Sequence, residues 1–177
     1  CDWSSDVCSS DLTAYRDMIS QGVELVMHLG DYIYDVTGGT TVRQAPVAAA
    51  TTLQDYRLLH AVYKTDPDLQ AIHAHCPWLY MWDDHEVMND YSKDQGERVQ
   101  DPAAFLKIKA AAYQAVYEHM PLRAAARPRE AEAVMYQRLN YGDLAEFDLL
   151  DLRQNRDHVA CQTATRSEEH TSELQSH

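Results

Sequence analysis

VELVMHLGDYIYDV, at residues 23–36, joins a run of apolar and β-branched side chains to an acidic turn. The run Val23–Leu29 is typical of a buried strand, and GDYIYD after it is loop-forming. A second segment of this kind, PWLYMWDDHE at 77–86, predicts a buried strand that ends directly at a charged cluster. Because helical patterns separate the two segments, the sequence predicts a mixed α/β fold with a layered core.

Helix and turn signals divide the rest of the chain. We expect one helix to end near Gln21, where Gly22 can terminate it. Three further helices are expected at 52–63, with a capping box of Thr51 and Gln54, at 67–75 after Asp66, and from 102 onward after Asp101. VMYQRLNYG and LAEFDLLDL predict two adjacent strands around a turn at 141–143.

Both ends of the chain resemble translated sequencing adaptor. One back-translation of RSEEHTSELQSH, 166–177, gives a strand whose reverse complement encodes DWSSDVCSSD, 2–11, in a shifted frame. Opposite strands of one oligonucleotide do not encode two segments of a natural protein. We therefore interpret 1–12 and 166–177 as non-native, and 13–165 as part of one domain, truncated at both ends.

Charge and cysteine content exclude several classes of function. Leaving out six acidic residues and one arginine of the two ends changes the formal net charge from −13 to −8. An acidic protein of this kind does not predict a groove that follows the phosphates of a nucleic acid. The remaining cysteines, Cys76 and Cys161, have neither a disulfide framework nor a zinc spacing. No apolar run is long enough to span a bilayer.

Acidic side chains follow both predicted strands where the strands end. Asp31 comes after the first, and Asp83, Asp84 and His85 come after the second. In open α/β sheets this edge binds ligands, and buried carboxylates there need a compensating cation. Tyr34, three residues after Asp31, completes a hard oxygen set that suits a ferric ion or calcium.

Structural explanations compete with this one. Asp31 and Tyr34 can belong to a turn that ends the strand, and Asp83 or Asp84 can be the N-cap of a helix through Val87, with His85 in solvent. A scaffold without catalysis predicts that Asp31 and Asp84 lie far apart. His28 and His73, by contrast, sit in apolar runs, which favours core histidines over ligands.

Five blocks carry a family resemblance. They are HLGDYIYDV (28–36), TLQDYRLLHAVYKTDPDLQAIHAHCPW (52–78), WDDHEVMNDY (82–91), HMPLR (119–123) and YGDLAEFDLLDLRQNR (141–156). Together they resemble PhoD-like metallophosphoesterases, the alkaline phosphatase D family. The resemblance implies a calcineurin-like core, a β-sandwich flanked by helices, that hydrolyses small phosphate mono- or diesters. It also implies ferric iron (Fe3+) with calcium (Ca2+), and an extracellular or periplasmic location.

The resemblance also implies roles by position. Asp31 bridges the metals, Tyr34 binds the ferric ion, Asp84 or its neighbour Asp83 is a further ligand, and His85 is the catalytic, phosphate-facing histidine.

The family's cysteine-bearing and histidine-bearing ligand blocks are absent from 13–165, and neither Cys76 nor Cys161 replaces the missing cysteine by position. We therefore expect an incomplete site and little activity. Arg153 and Arg156 are possible structural or phosphate-side contacts. The alternative function is a non-catalytic module that holds a structural divalent ion.

Overall fold

The computed structural model describes residues 12–36 and 47–158. Helices and strands are interspersed along these residues, and a 3₁₀ turn follows the longest helix. The elements are α1 (Thr13–Ser20), β1 (Val26–His28), α2 (Leu53–Tyr63), α3 (Pro67–His75), β2 (Trp78–Tyr80), α4 (Pro102–His119), the 3₁₀ turn Ala124–Ala126, β3 (Gln137–Tyr141) and β4 (Ala145–Leu149). The mixed α/β class is confirmed. In the described residues the strands form two two-stranded sheets.

The helix starts follow the capping chemistry of the sequence, with one correction. Asp66 accepts hydrogen bonds from the first turn of α3, and Asp101 does so in α4. The capping box of α2 is wrong by one residue, since it consists of Thr52 and Asp55 instead of Thr51 and Gln54. Asp55 takes the place of Gln54 in the capping box because its carboxylate accepts from two backbone N–H groups, those of Thr51 at 3.1 Å and Thr52 at 2.9 Å.

The two apolar segments form a short parallel pair. β1 pairs with β2 over three residues, with Val26 opposite Trp78 and His28 opposite Tyr80. Both strands are shorter than the apolar runs that predict them, because only three residues of each run pair with the other strand. Parallel pairing is the feature that positions the site, since it brings the carboxyl ends of both strands to the same edge.

The predicted hairpin is present. β3 and β4 are antiparallel, and Gly142 supplies the positive φ of +53° in the turn. Arg138 and Asp148 are cross-strand partners, and their side chains form an ion pair of 2.7 Å on the exposed face.

The core lies between the helices and the parallel pair. The predicted apolar stripe of α4 is buried at Phe105, Ile108, Ala112 and Val116, whereas His119 at its end is only half-buried. Trp82, just after β2, stacks on Tyr113 of α4 with ring centroids 4.0 Å apart. This stacking fixes the chain at the point where it enters the charged loop.

The predicted core histidines are part of this packing. The ring of His73 stacks on Trp78 at 3.9 Å, and its Nε2 is 2.8 Å from the hydroxyl of Tyr32. His28 stacks between aromatic rings and accepts a hydrogen bond from the backbone of Gly30. Cys161 and the predicted adaptor segments, except Leu12, lie outside the described residues. None of the described helices could cross a membrane.

Candidate metal centre

The loops that follow β1 and β2 lie directly against each other. Gly30 has a φ of +110°, and a Cβ added there would be 2.4 Å from both the backbone nitrogen and the Cβ of Asp83. Only glycine fits this backbone conformation and this contact. The sequence therefore places glycine where the two charged loops touch, and Asp31 follows immediately.

Three of the predicted site residues converge. Asp31, Asp84 and His85 each offer a ligand atom, and these atoms lie within 4.8 Å of one another. Asp84 is buried, and the other two are partly buried. Two acids and an imidazole therefore face one point from two different strands, as the sequence predicts.

Asp31 is held in a costly conformation. Its φ is +58°, which disfavours an L-residue, and its Oδ1 is buried without a hydrogen-bond partner in the described part of the chain. Burial raises the pKa of its carboxyl group, and His85 opposes this shift whereas Asp84 and Asp83 add to it. An unpaired buried oxygen between two further acids is the environment that a cation would stabilise.

Asp35 orients His85 from behind. Nδ1 of His85 lies 2.8 Å from Oδ1 of Asp35, which is fully buried, so Nδ1 carries the proton and Nε2 remains for a ligand. Arg98 pairs with the other oxygen of Asp35. Burial lowers the pKa of His85, but the hydrogen bond to Asp35 and the charges of Asp84 and Asp31 outweigh it, so that the pKa is raised.

Glu86 holds the two loops together. It is fully buried, and its carboxylate accepts hydrogen bonds from the backbone of Tyr32 at 2.6 Å and of Asp83 at 2.9 Å. The backbone of Asp31 also donates to it. Burial raises the pKa of Glu86 to about 7. One side chain thus connects the loop after β1 to the loop after β2.

Tyr34 and Asp83 occupy different positions relative to this cluster. The ring of Tyr34 lies beside His85, with centroids 4.4 Å apart. Asp83 instead forms two contacts with Arg153, of 2.5 and 3.1 Å. Of the two adjacent aspartates, Asp84 is the one that lies with Asp31 and His85.

Some of the competing structural explanations do not fit the geometry, whereas a turn role for Asp31 and Tyr34 stays open. Asp84 starts no helix, because residues 84–87 form a bend and a turn in which its carbonyl accepts from Val87 and Met88. His85 is not a solvated side chain, since 19% of it is exposed and it contacts Asp35. A scaffold that keeps Asp31 and Asp84 far apart is excluded by their proximity.

Three residues of the site are not predicted from the sequence. Asp35 and Glu86 lie inside the two motifs. An acidic residue within an otherwise apolar motif is the sequence feature that could have identified them. Arg98 comes from the polar loop before α4 and has no local signal. Its role depends on a tertiary contact 63 residues away in the chain.

The donor set fits hard cations. Carboxylate oxygens and a nearby phenol match the oxygen ligands that calcium and ferric iron prefer. The Oδ1 of Asp31 is the most direct indication, because it is buried and has no hydrogen-bond partner among the described residues. Asp31 and Asp84, with Tyr34 nearby, are thus the residues that can hold a metal, and His85 lies beside them.

Comparisons with known proteins identify the family of this chain. The profile of the PhoD-like phosphatases matches residues 3–176. Alkaline phosphatase D of Bacillus subtilis (strain 168) is 47% identical over 154 residues, which cover 84% of this chain and 26% of that protein. A solved structure described as "Structure of PhoD" matches with a TM-score of 0.79 and 47% identity, over 84% of this chain and 30% of the other. The chain thus spans less than a third of the relatives that it matches, and it belongs to the PhoD-like phosphatase family.

Proposed function

We propose that this chain carries part of the active site of a metal-dependent phosphoesterase that hydrolyses small phosphate mono- or diesters. The observation that carries the proposal is the convergence of Asp31, Asp84 and His85 at the touching ends of two parallel strands. Membership of the PhoD-like phosphatase family supports it. The function of a structural ion alone does not explain why His85 is oriented by a buried carboxylate with its Nε2 available.

Each residue has a role that its position allows. Asp31 and Asp84 would hold cations, and Tyr34 would add its phenolate oxygen to a ferric ion. Bound cations would supply positive charge and Lewis acidity for the phosphoryl group. His85, with Nδ1 fixed by Asp35, would direct Nε2 at an oxygen of the ester and stabilise the charge that develops there.

The metals are proposed to be Fe3+ and Ca2+. The ligand types support hard ions over a thiolate-bound zinc. Further ligands are needed for two ions, since Asp31, Tyr34 and Asp84 do not fill two coordination shells. We therefore expect the 177-residue chain itself to bind metal weakly and to be a poor catalyst.

The location of the parent protein is proposed to be extracellular or periplasmic. This follows from the family and not from a feature of the described residues. A test is to express the corresponding full-length gene in its own host and to assay the enzyme in the medium and in cell fractions. Activity confined to the cytoplasm would contradict the proposal.

The test of the activity is a chimera. The matched 154-residue segment of the Bacillus subtilis relative is replaced by this chain's segment, and an aryl phosphate and an aryl phosphodiester are assayed with Ca2+ and Fe3+. We expect turnover that a chelator abolishes. Asp31→Asn should reduce kcat by at least about 100-fold, because a ligand is removed. Equal activity with and without this substitution would refute the proposal.

The chimera also distinguishes the proposed phosphoesterase from the alternative, a non-catalytic module with a structural ion. Under that alternative, His85→Ala would change metal content but not the rate per bound metal. Under the proposal, it lowers kcat by about 100-fold or more at unchanged metal content, because a group that acts on the ester is lost. Metal content is measured by mass spectrometry of the purified proteins.

A further inference from the structure

Arg153 contacts three acids of the loop after β2. Its Nε and Nη2 lie 2.5 and 3.1 Å from the two oxygens of Asp83, and Nη2 lies 3.2 Å from Asp84. Its Nη1 is 3.7 Å from Asp90. Only 13% of the arginine side chain is exposed. A bidentate pair of this kind has fixed geometry because the guanidinium is planar.

The segment that carries Arg153 is itself attached to this loop. The indole nitrogen of Trp82 donates to Asp151 at 3.0 Å, and the same carboxylate accepts from the backbone of Arg153. The carbonyl of Arg153 accepts from Lys93 at 3.1 Å. The arginine is therefore held by its backbone as well as by its side chain, and it can impose a position on the acids that it contacts.

The adjacent aspartates have different partners. Both oxygens of Asp83 are paired with Arg153, whereas Asp84 has one contact of 3.2 Å with the same guanidinium and accepts from the backbone of Asp90 at 2.5 Å with its other oxygen. Asp83 is nevertheless near the cluster, since its backbone lies directly against Gly30. Without Arg153, two neighbouring carboxylates could compete for one cation.

We propose that Arg153 is a positioning residue of the metal centre, which holds Asp83 in an ion pair and thereby leaves Asp84 as the carboxylate that joins Asp31 and His85. This inference rests on the proposed function, because it concerns the same site. The segment after β4 would thus determine which of the two adjacent acids binds the cation. The ligand set then contains Asp84 and not Asp83.

The test is a double-mutant cycle in the full 177-residue chain and in its chimera with the Bacillus subtilis relative, with Ca2+ affinity measured by titration calorimetry. The chimera is included because the chain alone is expected to bind metal weakly. Asp83→Asn is compared in the wild-type and Arg153→Met backgrounds. We expect the loss of affinity caused by Asp83→Asn to be about 10-fold larger in the Arg153→Met background, because Asp83 becomes a ligand when its partner is removed. The loss caused by Asp84→Asn should shrink there, because Asp83 takes over.

Two further variants protect the conclusion. Arg153→Lys keeps the charge but not the paired geometry. It should increase the effect of Asp83→Asn in the same direction as Arg153→Met but by a smaller factor, and it replaces Arg153→Met if that variant does not fold. Arg156→Met, on an exposed residue of the same segment, should leave both losses as in the wild type. If Arg153 were purely structural, Arg153→Met would weaken binding equally in the wild-type chain and in the Asp83→Asn chain, and that result overturns the proposal.

The same titrations separate the two proposals. If Ca2+ binds and Asp84→Asn weakens the binding, but the effect of Asp83→Asn is independent of Arg153, only the inference about Arg153 fails. If the chimera binds no Ca2+, or Asp31→Asn and Asp84→Asn leave its affinity unchanged, the proposed metal centre fails and the inference fails with it.

Discussion

Gly30 tolerates no side chain, because its φ is +110° and Asp83 lies where a Cβ would stand. We predict that Gly30→Ala lowers the free energy of unfolding by at least about 2 kcal/mol, since it adds both backbone strain and a clash. Gly142→Ala is the matched control, with a φ of +53° and open space around it. It should lower the stability by about 1 kcal/mol. Urea unfolding of both variants checks this, and equal losses would contradict it.

His60 is a second residue whose environment determines a measurable property. It is fully buried, neither ring nitrogen has a hydrogen-bond partner within residues 12–36 and 47–158, and burial together with His119 and Lys64 lowers its pKa to about 3. The unfolded chain takes up a proton below pH 6.5 that the folded chain does not. Stability from this group is therefore present above pH 6.5 and falls as the pH decreases toward 3.

His60→Leu should remove this dependence. We predict that the variant is more stable by about 1 kcal/mol at pH 8, since two unsatisfied buried nitrogens are lost. The gain should grow by up to about 1.4 kcal/mol per pH unit below the pKa of a free histidine. Thermal unfolding at pH 8 and pH 5 measures it, with the exposed His75→Leu as the control. A gain that does not depend on pH would contradict the prediction.

For single residues, the sequence predicts which acids form the cluster, but it does not predict the side chains that pair with them. Asp31, Asp84 and His85 follow from two motifs that end two strands, and the structure brings them together. Asp35 and Arg98 could not be assigned, because their pairing is a tertiary contact. The choice between Asp83 and Asp84 likewise depends on Arg153, which is 70 residues away from Asp83 in the chain.

Among the elements, the helix starts are the most predictable feature, because a cap is a local interaction. Asp66-Pro67 and Asp101-Pro102 begin α3 and α4 as the sequence indicates. The strands are less predictable, since their ends are set by pairing. Apolar runs at 23–29 and 77–82 predict longer strands than the three paired residues in each.

The two aspartate caps should differ in strength. Asp66 is 7% exposed and also accepts from the backbone of Leu12, before α1, at 3.3 Å, whereas Asp101 accepts only within its own helix turn. We predict that Asp101→Ala costs about 1 kcal/mol of stability. Asp66→Ala should cost about 2 kcal/mol or more, because it leaves buried N–H groups unpaired and removes the hydrogen bond from Leu12. Chemical denaturation of both proteins measures the difference, and equal losses would argue against it.

For the whole molecule, the proposed metal centre should be a source of instability until a cation binds. Asp31 combines a positive φ, a buried unpaired oxygen and two acidic neighbours. Asparagine tolerates this backbone conformation, and it carries no charge. We therefore predict that Asp31→Asn raises the free energy of unfolding by about 1 kcal/mol in the presence of a chelator.

Calcium should reverse this order. Ligand that binds only the folded chain stabilises it by about 2.7 kcal/mol at about 100 times the dissociation constant, and the wild type should show this gain. Asp31→Asn should show little of it, because a ligand is missing, so that the wild type becomes the more stable protein. Urea unfolding with chelator and with Ca2+ tests both halves. If Asp31→Asn were less stable than the wild type in chelator, or if Ca2+ stabilised both proteins equally, then Asp31 would have a structural role and would not belong to a cation site.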